Sequence, residues 1–149
     1  MKTHVLALLV LLALLAPLGC TKAPEVPPLA PVTGTVTLDG KPLAAATVTY
    51  FPTDPKGHGA SGVTDGEGKY ELTHSSGQKG AVKGDYRVVV SLLLAPDGSP
   101  IGGDPTKSPT GATVGRESLP PRFSSPQETT LKASVPEAGG TQDFTVEAQ

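Results

Sequence analysis

The chain has 149 residues, room for one domain behind a targeting segment, and a net charge of −2 with no basic cluster, which argues against a nucleic-acid partner. A single cysteine excludes an internal disulfide framework, and 18 Gly with 16 Pro suit short strands and turns better than helices. Trp is absent, so the large apolar anchors are three Tyr and three Phe.

Met1-Lys2-Thr3-His4 followed by the apolar run Val5 to Leu15 has the architecture of a bacterial export signal over residues 1–19, too short for a settled membrane span. Cys20 stands directly after Pro17-Leu18-Gly19. This stretch resembles the lipobox of bacterial lipoproteins, in which the cysteine thiol takes a diacylglycerol and becomes the first residue after cleavage. Gly19 and Cys20 match that pattern and Leu18 fits it, whereas Pro17 stands where the family usually carries Leu. The resemblance implies lipidation at Cys20, and two or three acyl chains anchor a protein stably where one does not. Thr21, rather than Asp, follows the cysteine, so where the envelope has two membranes the outer one is expected. The alternative is a chance thiol after an ordinary signal.

Thr21 to Pro31 carries prolines at 24, 27, 28 and 31, which favours polyproline II over helix or sheet. Eleven such residues reach roughly 34 Å, enough for a semi-rigid tether over residues 20–31.

From residue 32 the period is two. Val32, Gly34, Val36 and Leu38 share one face of a first strand, Asp39-Gly40 supplies a turn, and Ala46, Val48 and Tyr50 line the inner face of the next strand, which Pro52 ends. Ala60 to Thr64 and Lys69 to Thr73 flank Asp65-Gly66-Glu67-Gly68, a hairpin signal with Tyr70 and Leu72 inward. Tyr86, Val88 and Val90 alternate with Arg87 and Val89. Later come Leu131, Ala133 and Val135, then Phe144 and Val146. About seven short strands and no helical stripe predict an all-β fold, a single antiparallel β-sandwich over 32–149.

GTVTLDGKPLAAATVTYFP, the VTDGEGKYEL hairpin and KGDYRVVVS together resemble the carboxypeptidase regulatory-like, transthyretin-like domain. More narrowly, the layout is similar to small planctomycete-type lipoproteins, where a Leu-Pro-Pro-basic-aromatic segment precedes the last two strands; here it is Leu119 to Phe123. The resemblance implies an Ig-like or transthyretin-like sandwich and no particular activity. An enzyme branch of transthyretin-like proteins, the hydroxyisourate hydrolases, ends in Tyr-Arg-Gly-Ser, but this chain ends Val146-Glu147-Ala148-Gln149.

Residue chemistry offers few sites. Asp65 and Glu67 are too few carboxylates for an EF-hand and read as a solvated turn. His58 and His74 lie either side of the hairpin and could meet, but neither has metal-ligand spacing and a structural zinc needs two more ligands, so they read as surface histidines. Ser61, His58 and Asp65 make a triad on paper only, because Gly59-Ala60-Ser61-Gly62 is not a nucleophile elbow. The absence of Asn excludes a Lys–Asn isopeptide. Phe51 and Phe123 are the aromatics free of the predicted core, and so the candidate recognition surface for a sugar. Ala95 to Ser118 lacks strand pattern and is expected to be a mobile surface loop or the place where something is recognised.

The resulting expectation is a non-enzymatic, membrane-anchored envelope lipoprotein whose sandwich acts as a structural or protein-interaction module, with no cofactor and no metal. Its partners would be the membrane, through the anchor, and an envelope protein or polysaccharide. A carbohydrate-binding module is the alternative, and an unrecognised hydrolase the distant one.

Overall fold

A computed structural model describes residues 27–101 and 115–148. The signal, Cys20, the tether up to residue 26 and the middle of the long loop lie outside the described residues. In chain order the elements are β1 (Leu29–Ala30), β2 (Val32–Leu38), β3 (Lys41–Pro42), β4 (Thr47–Pro52), β5 (Ala60–Val63), β6 (Lys69–Glu71), β7 (Thr73–His74) and β8 (Ala81–Val82). They continue with β9 (Gly84–Ser91), β10 (Leu93–Leu94), β11 (Arg116–Glu117), the single-turn helix α1 (Pro121–Ser124), β12 (Lys132–Val135), β13 (Gly140–Thr141) and β14 (Phe144–Val146).

The fold is an all-β sandwich. One sheet runs β12-β9-β4-β5-β7 and is antiparallel throughout; the other is built around β2. Alternation decides which side chains meet between them. Val32 and Val36 from β2, Val48 and Tyr50 from β4, Tyr70 from β6, and Val88 and Val90 from β9 are all buried, as the period of two predicts. Phe144 and Val146 from β14, with Ala133 and Val135 from β12, complete the same core.

Three features of the path depart from the expected hairpins. Asp39 (φ 50°) and Gly40 (φ 79°) form a two-residue turn of the primed kind, but it joins β2 only to the short β3. The chain then crosses to the other sheet, so β2 and β4 face one another and do not pair. The Asp65 hairpin is forked. Its far end pairs β5 with β7, while the stretch beside the turn, β6, leaves to pair with β2. β2 also takes β13 and β14 on its other edge in parallel, so the first long strand is bonded to the last.

The domain starts before Val32. Leu29–Ala30 pairs with β8 and Ala30 is buried, so the last residues assigned to the tether belong to the sandwich. One turn of helix also appears where none was expected. Pro121 occupies its first position, where a missing N–H costs nothing. The turn packs against β9 and points Phe123 into the core beside Leu119. Val89, outward in phase, is likewise buried on β9.

Candidate functional site

Phe51 is half-buried at the outer end of β4, opposite Arg87. Phe123 is 7% exposed and part of the core, with the Arg122 guanidinium 4.9 Å from its ring centroid. The expected recognition pair is therefore corrected. The segment before the last strands carries no alternation that could have shown Phe123 inward, and a stacking platform of two free rings does not exist here.

Asp65 serves the turn. Its Oδ1 accepts the amides of Glu67 (2.8 Å) and Lys69 (2.9 Å), an Asx-type closure, and Gly68 passes its carbonyl to the Val36 amide at 2.8 Å. A carboxylate held this way does not orient a histidine for Ser61, so the paper triad has no third member. Ser61 is exposed on β5, paired with Thr49 and Thr73.

His58 and His74 do meet: their ring centroids are 5.4 Å apart with planes at 60°. His58 is exposed, but His74 is 4% exposed, against the expectation of two surface histidines. A signal for this was present, because His74 is in phase with the inward Tyr70 and Leu72. Its Nδ1 lies 2.8 Å from the Ser76 Oγ and accepts the Ser76 amide at 3.1 Å. Burial, and to a lesser degree the neighbouring His58, hold its pKa below the ordinary histidine value.

A chain of polar contacts crosses the sandwich interior. Tyr70 donates its hydroxyl to the Gln142 carbonyl at 2.6 Å, which leaves the Tyr70 phenol oxygen to accept from the Tyr50 hydroxyl at 3.1 Å. Burial pushes Tyr50 up to about 12 and raises Tyr70 further. Both phenols stay protonated at neutral pH, and their partners are structural.

The long loop is better anchored than its composition predicts. Its outgoing and returning arms pair as β10 and β11. Glu117 closes the base, accepting from Ser91 Oγ (2.5 Å), Leu92 N–H (3.0 Å) and Leu119 N–H (2.9 Å). A depression of about 570 Å³ lies beside this stem, lined by Leu94, Ala95, Pro96, Arg116 and Glu117 among others.

No family model matches the chain, and no curated protein matches it. Among solved structures, a 9R-lipoxygenase from Cyanothece PCC8801 is similar at 19% identity with a TM-score of 0.35. That alignment covers 99% of this chain and 23% of the lipoxygenase, so the chain spans under a quarter of that protein. A likeness of this size carries no argument about fold or chemistry.

Proposed function

We propose that the chain is a membrane-anchored envelope lipoprotein, and that its sandwich is a non-enzymatic structural or protein-interaction module of the transthyretin-like, carboxypeptidase regulatory-like kind. The observation that carries the reading is Cys20, placed directly after an apolar export-type run and a short proline-rich stretch ahead of Leu29, the first residue of the sandwich. The use of the polar groups supports the second half: Asp65, Glu117 and Tyr70 each bond to backbone and hold turns or strands together. If the module has a partner, the arm on the β10–β11 stem is the place for it, since loops carried on a rigid base are where recognition concentrates.

The test is Cys20→Ala, read by metabolic labelling with an alkyne fatty acid and by detergent phase partitioning. The parent should label and enter the detergent phase, whereas the variant should do neither. A variant that stays fully in the detergent phase sinks the anchor. For the module, cross-linking on intact cells should use a chain shortened within 102–114. That deletion leaves Glu117 and the stem in place, so loss of a discrete cross-link reports on recognition and not on folding.

A further inference from the structure

The outer face of the antiparallel sheet carries a row of side chains that folding does not require. Phe51 on β4 stands opposite Arg87 on β9, and Arg87 stands opposite Lys132 on β12. Opposed residues share a face of a sheet, so an aromatic ring and two cations lie side by side across three strands. Both cations are exposed, out of phase with the buried Tyr86, Val88 and Ala133.

The pairing of Arg87 with Lys132 is the anomaly. Like charges directly opposite one another destabilise a ladder, and neither residue forms an ion pair among the described residues. An anion seated between them would turn that repulsion into two attractions. Arg87 is already aimed. Its Nη1 donates to the Pro126 carbonyl at 3.0 Å, which ties the guanidinium to the segment after α1 and leaves Nε and Nη2 as a fork. A carboxylate matches such a fork through two parallel hydrogen bonds, and the Lys132 ammonium beside it supplies a point charge.

We propose that this row binds an acidic polysaccharide, with a uronate carboxylate held between Arg87 and Lys132 and a neighbouring sugar ring against the half-buried Phe51. A groove of about 540 Å³ opens beside the cations and is lined also by Thr53, Ser134 and Gln142. The two hydroxyls are exposed, and Gln142 Nε2 donates to the Ser134 carbonyl at 3.3 Å, which leaves its Oε1 to accept from a sugar hydroxyl. Neighbouring strands lie about 4.8 Å apart, a spacing comparable to the length of one sugar unit. A glycan laid across the strands therefore meets Phe51, Arg87 and Lys132 at successive positions. An acidic peptide fits less well, because an extended peptide docks by pairing with a strand edge, and this row lies on the face.

Asp85 opposes the anion. It lies on the same face in the next row, opposite Ser134, and also lines the groove. Two cations against one carboxylate still leave the groove positive in a chain whose total is −2. The site uses Phe51 as a single ring beside charges, so it differs from a platform of two rings, which the buried Phe123 cannot join. It goes beyond the proposed anchor and module, and its failure would leave both standing.

The test is calorimetric titration of the mature chain, carrying Cys20→Ser to keep it free of lipid, with oligogalacturonate. Neutral cello-oligosaccharide, poly-glutamate and sulfated dextran serve as comparisons. Oligogalacturonate should bind saturably, and more weakly as salt rises, while the neutral sugar should not bind. Arg87→Gln and Lys132→Gln should each weaken binding roughly tenfold, Phe51→Ala should weaken it less, and Asp85→Asn should tighten it. Lys132→Gln removes a like-charge contact, so its melting temperature without sugar should equal or exceed that of the parent. A lower one would assign the lysine to the fold and count against the site. Absence of saturable binding, or affinity unchanged in both Arg87→Gln and Lys132→Gln, overturns the site. Equal affinity for poly-glutamate, or tighter binding of sulfated dextran, overturns the uronate in favour of unselective anion capture or a sulfate ester.

Discussion

The two sheets reach the same sandwich by different means. The β12-β9-β4-β5-β7 sheet is made of antiparallel ladders whose alternation is broken only at Val89, buried on β9, and each strand could be assigned its inner face without knowing its neighbours. The sheet around β2 draws its strands from distant parts of the chain, and its parallel edge contains an irregularity. In a parallel ladder the Gln142 N–H to Thr33 O bond (2.8 Å) should be followed by a bond from the Thr35 amide to the Gln142 carbonyl. That carbonyl is instead given to Tyr70, and the Asp143 carboxylate takes the Thr35 amide at 2.7 Å. One sheet depends on repetition, so single outward positions matter little. The other depends on a few residues that each do one job.

The largest effect should come from Gly34→Val. A Cβ built at Gly34 would lie 1.8 Å from the Gln142 carbonyl oxygen and 2.8 Å from the Tyr70 ring, so backbone on both strands must move. We expect a loss of about 3 kcal/mol or more, or no cooperative fold at all, read from urea denaturation. The matched change in the regular sheet is Thr49→Val, mid-strand on the outer face of β4. It should stay within about 0.5 kcal/mol of the parent. Equal losses at the two positions would erase the distinction between the sheets.

Tyr70→Phe comes next. It removes the donor to Gln142 and the acceptor for Tyr50 in a buried setting, and should cost about 1–3 kcal/mol. The same phenols set an alkaline limit. Folding favours their protonated forms, so the stabilisation from Tyr50 is fully present below the ordinary phenol value of 10.0 and is lost as pH rises towards about 12. Tyr70, raised further still, adds to the loss from the same starting pH and continues it beyond the Tyr50 window. Denaturation midpoints should therefore fall above pH 10 in the parent, and fall less steeply in Tyr70→Phe. Parallel pH profiles for the two proteins would remove the phenols from the account.

Much of this fold was legible because alternation is local. Val32, Val48, Tyr50, Leu72, Val88, Ala133 and Val146 point inward whichever strands they pair with. What alternation cannot tell is which sheet a strand joins. Asp39-Gly40 makes the same turn whether the next long strand pairs with β2 or crosses over, and Tyr70, Leu72 and His74 keep one phase although the chain passes between sheets at Leu72. The parallel pairing of β2 with β14 leaves no mark in sequence, since it joins Val36 to Phe144 from opposite ends of the domain. At the candidate sites the lesson repeats. His74 was readable as inward from its phase, while Phe123 was not, because a single turn has no period.

A smaller effect than that of Tyr70→Phe is expected at the turn where the two sheets part. Asp65→Ala removes two hydrogen bonds, to the Glu67 and Lys69 amides, where Tyr70→Phe removes the donor of one and the acceptor of another. Counting bonds alone would rank the two changes as equal. Exposure decides otherwise: Asp65 is at the surface, so water can accept from both freed amides, whereas nothing replaces the phenol inside the sandwich. We expect a loss of about 1 kcal/mol for Asp65→Ala. Asp65→Asn keeps the accepting oxygen and should lose less than the alanine variant. The neighbouring Lys69–Glu67 pair, with side chains 64% and 73% exposed, should be dispensable, so that Glu67→Gln leaves the urea midpoint unchanged. If Asp65→Asn proves as damaging as Asp65→Ala, the turn is held by the carboxylate's charge and not by its geometry.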